Sequence, residues 1–281
     1  MLNLAIVLIA AGLAAAGSDG GYAIEGIPIF AICVAIAFIV QWIAFVPAWM
    51  GRTEKYYDLV GSSTYIVTIL VAVALSPVRD ARSYLLLCLV LLWALRLGAH
   101  LFRRVLVAGS DRRFDAIKRD FGKYLVAWTT QGLWVSFSLA AALAAVTSTS
   151  RHDIGAFAVI GASLWVCGFA IEAVADRQKR RFRADTNNHD RFISSGLWAW
   201  SRHPNYFGEI MLWLGIAIIA LPNLVGWQWV TMLSPMFVYL LLTRISGIPI
   251  LEEYADKKWG GNEDYEAYKM RTSVLLPRRP R

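Results

Sequence analysis

Five polar side chains crowd the start of an apolar run. Arg202, His203, Asn205, Tyr206 and Glu209 lie within L-W-A-W-S-R-H-P-N-Y-F-G-E-I-M-L-W-L, from Leu197 to Leu214. Pro204 suits the first turn of a helix, where its missing N–H would lack a partner in any case. A helix starting there sets Asn205, Glu209 and Trp213 on one face at i, i+4 and i+8. Its N-terminus offers unpaired N–H groups and a partial positive charge, which suit a phosphate or a carboxylate. The plainer reading is a capped helix start with Glu209 paired to a nearby arginine.

A second stripe precedes it. In E-A-V-A-D-R-Q-K-R-R-F-R, Glu172, Asp176, Arg180 and Arg183 fall at i, i+4, i+8 and i+11, one face of a continuous helix. An acid inside a membrane span usually faces a cavity or a partner, which sets Glu172 apart from a mere stop-transfer signal. The loop G-S-D-R-R-F adds Arg112 and Arg113 as a cationic clamp or a topological anchor. In Y-Y-D-L-V-G-S-S-T-Y, Tyr57, Asp58 and Tyr65 could polarise a carbonyl if burial raises the acid's pKa. Asp58 could equally cap the helix that follows. Arg96 and His100, at i and i+4, make a further polar pair inside an apolar run. Near the C-terminal end, Glu252 and Glu253 are the acidic complement to these cations. Tyr265 and Tyr268 could stack on a planar ring or pack the tail. There is no G-x-G-x-x-G after a strand, no Walker lysine loop, no G-x-S-x-G and no His/Cys cluster fit for a metal.

The elements that must position these residues are membrane helices. The 281 residues have a mean hydropathy of +0.49 and are only 17% charged. Their apolar runs approach the length that crosses a hydrocarbon core of ~30 Å. Eight are drawn: 2–16, 27–49, 60–75, 84–102, 124–146, 154–175, 206–221 and 227–243. Several are short, so the expected fold is an all-α, multi-pass bundle of seven or eight spans. All but four of the 28 lysines and arginines fall in 52–59, 103–123, 177–205 and 244–281. These basic segments alternate with poor ones, which predicts that both termini are cytoplasmic. The net charge of +8 is therefore topological and gives no reason to expect nucleic acid. Cys33, Cys88 and Cys167 sit singly in apolar runs, as small core residues do. One integral membrane domain over 1–281 is expected, with the nucleotide-sized polar features concentrated in 172–277.

The R-H-P-N-Y-F-G-E run, D-R-Q-K-R-R-F-R, Y-Y-D-L-V-G-S, G-S-D-R-R-F and the closing D-Y-E-A-Y-K-M-R-T-S-V-L-L-P together resemble the steroid 5-alpha-reductase-like membrane family. The likeness is greatest to its DUF1295 branch and spans 56–277. The resemblance implies a reductase in which NADPH occupies a cytoplasm-facing pocket and meets an apolar enone, steroid-like or isoprenoid substrate within the bilayer. It makes Asp176, Arg183, Asn205, Glu209 and Tyr268 cofactor-binding positions, with Arg112 or Arg113 on a phosphate. Arg180, Arg202, His203, Tyr206 and Glu253 are added from their placement beside these. Asp58, with Tyr57 or Tyr65, falls where the steroid enzymes hold the acid that polarises the substrate. Those enzymes have Gln-Glu in place of Tyr57-Asp58 and a tyrosine near Trp93, so the substrate side departs from a steroid pattern.

Isoprenylcysteine and phospholipid methyltransferases share an R-H-P-x-Y-x-G motif and a later E-E pair. S-adenosylmethionine, with a lipid or prenylated substrate, is the alternative cofactor expectation. The basic helix end favours the more anionic NADPH. Either way the expected partners are a lipophilic small molecule and membrane lipids, and a monomer suffices. The expected location is a bacterial inner membrane or one of endoplasmic-reticulum type.

Overall fold

The computed structural model describes residues 1–108 and 114–279. Among the described residues the chain is helical apart from a hairpin of two short strands, β1 (Ala23–Ile24) and β2 (Ile27–Pro28). The helices are α1 (Leu2–Gly17), α2 (Ile29–Met50), α3 (Tyr57–Leu75), α4 (Ala81–Ala108), α5 (Phe121–Thr147), α6 (Ala156–Ala184), α7 (Pro204–Ala220), α8 (Ser234–Leu240), α9 (Ile248–Trp259) and α10 (Glu263–Arg271). Among the described residues, seven stretches are long and apolar enough to cross a membrane. The expected first span is the short one: α1 has 16 residues, or about 24 Å at 1.5 Å per residue, under the ~30 Å needed.

The helices form two compact units. One holds residues 1–159 and 216–234, and the other 160–215 and 235–281. In the first, α5 is the hub. Its second half, S-L-A-A-A-L-A-A-V-T, is buried throughout, because small side chains let neighbours approach from every side. Buried polar groups tie the helices around it: Gln41 Nε2 donates to Thr64 Oγ1 at 2.8 Å and Trp42 Nε1 to Thr129 Oγ1 at 3.2 Å. At the far end of this unit Arg82, 1% exposed, donates to the carbonyls of Ile219, Asp153 and His152 at 2.6, 2.7 and 3.3 Å. Asp80 is held below the usual carboxylate range. Its burial opposes this, but the Ser83 N–H and hydroxyl and the Arg151 charge prevail.

In the second unit α6 and α7 pack backbone to backbone. A Cβ on Gly168 would stand 2.6 Å from the Gly208 carbonyl oxygen, and one on Gly208 would stand 2.7 Å from Glu172 N. Only glycine allows this approach, and it sets the acid-bearing end of α6 against the first turns of α7.

The last membrane-length stretch, Gly226–Trp259, is not one helix. A 3₁₀ segment (Gly226–Leu233) leads into α8, then a π turn (Leu241–Ile245), a break, and α9. At the break Ser246 N and Oγ both donate to the Leu241 carbonyl, at 2.9 and 3.3 Å. A Cβ on Gly247 would lie 2.3 Å from the Leu242 oxygen. Pro249 then starts α9, where a missing N–H costs nothing. The expected basic tail after residue 243 is therefore a structured pair of helices, α9 and α10, which return toward the start of α7.

The α6–α7 contact predicts that Gly168→Val lowers stability by about 1–3 kcal/mol, as overpacking does. Gly12→Ala, with nothing within 4 Å of the added Cβ, should be neutral or mildly stabilising. Thermal melting of detergent-solubilised protein checks both, and a Gly168→Val variant that melts with the wild type would refute the close contact.

Candidate functional site

α6 runs unbroken to Ala184, so the predicted stripe exists. Its inner part is buried, with Glu172 2% and Asp176 8% exposed. Arg180 and Arg183 continue past it into the exposed end of the helix. On α7 the face carrying Asn205, Glu209 and Trp213 turns inward: Glu209 is 7% and Trp213 1% exposed, and Asn205 is half-buried. Buried carboxylates are costly unless paired, and none of Glu172, Asp176 and Glu209 is without a partner.

Between these helices, residues 196–203 are pinned from two sides. On the α6 side Trp198 Nε1 donates to the Ala175 carbonyl at 3.1 Å, and Leu197 N donates to Gln178 Oε1 at 3.0 Å. The Lys179 ammonium lies 4.3 Å from the centre of the Trp198 ring, a cation–π contact. On the other side the C-terminal segment straps the loop down. Arg202 N donates to the Ser273 carbonyl at 2.8 Å and Arg278 N to that of Trp200 at 2.9 Å. Ser201, fully buried, gives its hydroxyl to the Leu275 carbonyl at 2.8 Å and accepts the His203 N–H at 3.1 Å.

Tyr268 belongs to this strapping. Its hydroxyl donates to the Trp198 carbonyl at 2.8 Å, and burial pushes the phenol well above its ordinary pKa, so it remains a donor. Beside it Tyr265 donates to Asp256 Oδ1 at 2.8 Å, and Phe192, Trp259, Tyr265 and Tyr268 pack as one aromatic cluster.

Glu252 closes the site. Its Oε1 lies 2.8 Å from His203 Nε2. Its Oε2 lies 2.8 Å from Arg202 Nη1, an ion pair whose angles fall short of a hydrogen bond. Glu253, the acid expected from sequence, points outward and pairs with Lys257. The two are adjacent, and the register of α9, set by the break at Gly247, decides which one faces in. The Tyr206 ring stacks on His203, with centroids 5.7 Å apart and planes 8° apart. His203 titrates below the 6.5 of an ordinary histidine. Burial is the main cause and outweighs the bond and charge of Glu252, while the charges of Lys179 and Arg202 add to the lowering. Burial therefore favours the neutral form of the imidazole.

This arrangement brings together Asp176, Arg202, His203, Tyr206, Glu209 and Tyr268 in one unit and adds Glu252. Arg180 is exposed and, among the described residues, makes no ion pair. Arg112 and Arg113 lie outside the described residues. Chemically, the buried acids can accept hydrogen bonds from ligand N–H or O–H groups. The cations of Arg177–Arg183 can hold phosphates.

The residues expected to polarise a substrate lie in the other unit. Asp58 is not the cap of α3. Tyr56 holds that place, and Asp58 sits in the first turn, where the helix's positive end favours a carboxylate. Tyr57 packs against Phe114 and Trp128, with ring centroids 4.7 and 5.1 Å away, and its hydroxyl donates to the Ala127 carbonyl at 2.9 Å. Tyr65 is buried with its ring edge-on to Trp93 at 5.0 Å.

The chain belongs to a family described as a protein of unknown function (DUF1295), which it matches over residues 44–272. It is also similar to an uncharacterized protein of Schizosaccharomyces pombe, 28% identical over 131 residues. That alignment covers 39% of this chain and 38% of the relative. No solved structure matches the chain.

Two outcomes follow from the Glu252 geometry. Glu252→Ala strands a largely buried arginine and should cost about 2 kcal/mol or more. Glu253→Ala removes an exposed pair and should change stability by less than about 0.5 kcal/mol. Equal melting shifts for the two would refute the assignment. His203 adds a pH dependence. Its folded pKa lies below the unfolded value of 6.5, so the unfolded chain binds the proton more readily. Stability is then full above pH 6.5 and falls as the pH drops below it. The groups facing the ring, Glu252, Lys179 and Arg202, do not reverse this sign. Melting between pH 7.5 and 5.5 should show that loss, and His203→Phe should reduce it.

Proposed function

We propose that this protein is a membrane-embedded, NADPH-dependent reductase of a lipophilic substrate, acting on an activated C=C. One observation carries the reading. Four exposed arginines, Arg177, Arg180, Arg181 and Arg183, lie at the end of α6, beyond the buried acids that α6 and α7 bring together. A ligand matched to both would carry phosphates at one part and hydrogen-bond donors at another, as NADPH does. The resemblance to the steroid 5-alpha-reductase-like family supports the same cofactor, and the loop-charge alternation supports a cytoplasmic position for this end.

The residues fit the group in stated ways. Arg180 and Arg183 would hold phosphates. Glu172, Asp176 and Glu209 would accept from ribose or base donors, and Asn205 would face the ligand from α7. When bound, NADPH supplies the hydride. The chain's own part is to bind, orient and keep water out. The resemblance gives Asp58, or a tyrosine near it, the role of placing a hydrogen-bond donor where charge develops on a substrate carbonyl. The hydroxyl of Tyr57 is spent on the Ala127 carbonyl, which leaves Asp58 and Tyr65 as the stronger choices.

A second reading has its own support. Glu252, the first acid of the E-E pair, closes on the Arg202-His203 of the R-H-P-x-Y-x-G motif. That is the combination by which the chain resembles S-adenosylmethionine-dependent membrane methyltransferases. S-adenosylmethionine carries no phosphate, so it leaves the basic end of α6 without a role.

Titration of the purified protein with NADPH, followed by the coenzyme's fluorescence, separates these readings. Binding should weaken about 10-fold or more in Arg183→Ala, the loss expected for one charge-assisted hydrogen bond, and excess S-adenosylmethionine should not compete. No binding at millimolar NADPH, or full competition by S-adenosylmethionine, would sink the reductase reading.

A further inference from the structure

The segment that opens the last membrane-length stretch keeps a period of three. Gly226–Leu233 is a 3₁₀ segment of eight residues, where runs beyond three or four are uncommon. Side chains at i and i+3 of such a helix eclipse one another. Gln228, Thr231 and Ser234 share that spacing, and all three are fully buried. Gln228 Oε1 accepts the Val225 N–H at 3.1 Å, and Thr231 gives its hydroxyl to the Gln228 carbonyl at 2.6 Å. The Ser234 hydroxyl reaches the Ser138 carbonyl of α5 at 2.7 Å. This polar row fixes the segment against the hub helix.

A second row stands beside it. Trp227, Val230 and Leu233 line one groove of about 730 Å³ with Trp229, Gly226 and Asp19. An α-helix would turn each member of such a row about 60° away from the last. The 3₁₀ winding keeps them in line, and both tryptophans are exposed. Asp19 stands at the Trp227 end, where its Oδ2 accepts the Trp227 N–H at 2.7 Å. Gly226 permits that approach: its φ is +48°, and a Cβ there would meet the same oxygen at 2.1 Å. Among the described residues Asp19 makes no ion pair. The groove therefore has an uncompensated carboxylate and indole rings toward one end, and an apolar wall of Val230 and Leu233 beyond.

An ammonium ion suits that end. It is drawn both to a carboxylate and to the face of an indole ring, whereas a phosphate would be repelled by Asp19. From Trp227 to Leu233 the row covers about 12 Å, at about 2.0 Å per residue. A small free amine would leave this apolar wall uncovered, and an acyl chain would cover it.

We propose that the groove holds a phospholipid whose headgroup ends in an ammonium. Asp19, Trp227 and Trp229 take the ammonium, and one acyl chain lies along Val230 and Leu233. All these residues belong to the unit that does not contain Glu252 and its partners, so the inference is independent of the nucleotide reading.

The test mixes full-length protein in detergent with phosphatidylethanolamine or phosphatidylglycerol of identical chains, and native mass spectrometry follows the lipid retained. Asp19→Asn keeps an acceptor for the Trp227 N–H and removes the charge. It should weaken the apparent affinity for the ethanolamine lipid by at least about 5-fold, the scale of one ammonium contact, and leave the glycerol lipid as in wild type. If Asp19→Asn fails to fold by its size-exclusion profile, Trp229→Leu serves instead, with an expected loss of about 3-fold for the ethanolamine lipid alone. Unchanged retention of the ethanolamine lipid in the folded variant would overturn the inference and leave the tryptophans as part of an interfacial belt. An equal fall for both lipids would overturn it as well. Millimolar ethanolamine should not displace the lipid from wild type. Displacement would overturn the assignment to a lipid and make the groove a site for a free amine.

Discussion

An ionised carboxylate within an apolar helical chain must be paired, and that constraint organises the whole site. Removing it from water costs several kcal/mol in practice. Glu252 meets the cost with two partners, His203 and Arg202. To reach them the chain abandons a straight last span. The π turn, the Ser246–Gly247 break and the return of α9 are what carry Glu252 back to the start of α7. π segments inside helices are often found at functional sites, and here the reason is geometrical. The strap of the C-terminal segment over residues 200–202 then holds the loop in register.

Much of the fold was legible because hydropathy and helical period are local properties. Each of the eight apolar segments is built on helical turns, and the face Asn205–Glu209–Trp213 turns inward as the spacing requires. What escaped sequence reasoning depends on contacts between distant residues. Nothing in I-L-E-E distinguishes Glu252 from Glu253. The choice follows from where α9 begins, and that follows from the approach of Gly247 to the Leu242 carbonyl. The sequence left Tyr268 to stack on a planar ring or to pack the tail, and its hydroxyl goes to the Trp198 carbonyl. A phenol next to charged residues gives no sequence signal of which carbonyl it will find. The capping place of α3 lies two residues before Asp58, at Tyr56, since helix ends are the least determined part of a periodic pattern.

The close approach of α6 and α7 explains how so many polar groups can be buried together. With no hydrophobic drive between helices in lipid, association rests on packing and on hydrogen bonds. Gly168 and Gly208 let the two backbones touch, which sets Glu172 against the helix that carries Glu209. A larger residue at either glycine would separate the acids and expose them to the lipid or the solvent. The same logic governs the other unit, where Arg82 is buried among main-chain carbonyls. There the charge serves packing: every partner is a backbone oxygen, and Asp80 pairs with Arg151 instead.

That contrast bears on what the second unit is for. Arg82 is met by main-chain carbonyls. At the start of α7 the partners are side chains: Glu252 of α9 holds His203 and Arg202, and Glu172, Asp176 and Glu209 are buried and partnered. Exposed arginines follow the acids on α6. Helix joining accounts for the buried acids alone, whereas the proposed ligand, with hydrogen-bond donors and an anionic part, accounts for the acids and the arginines together.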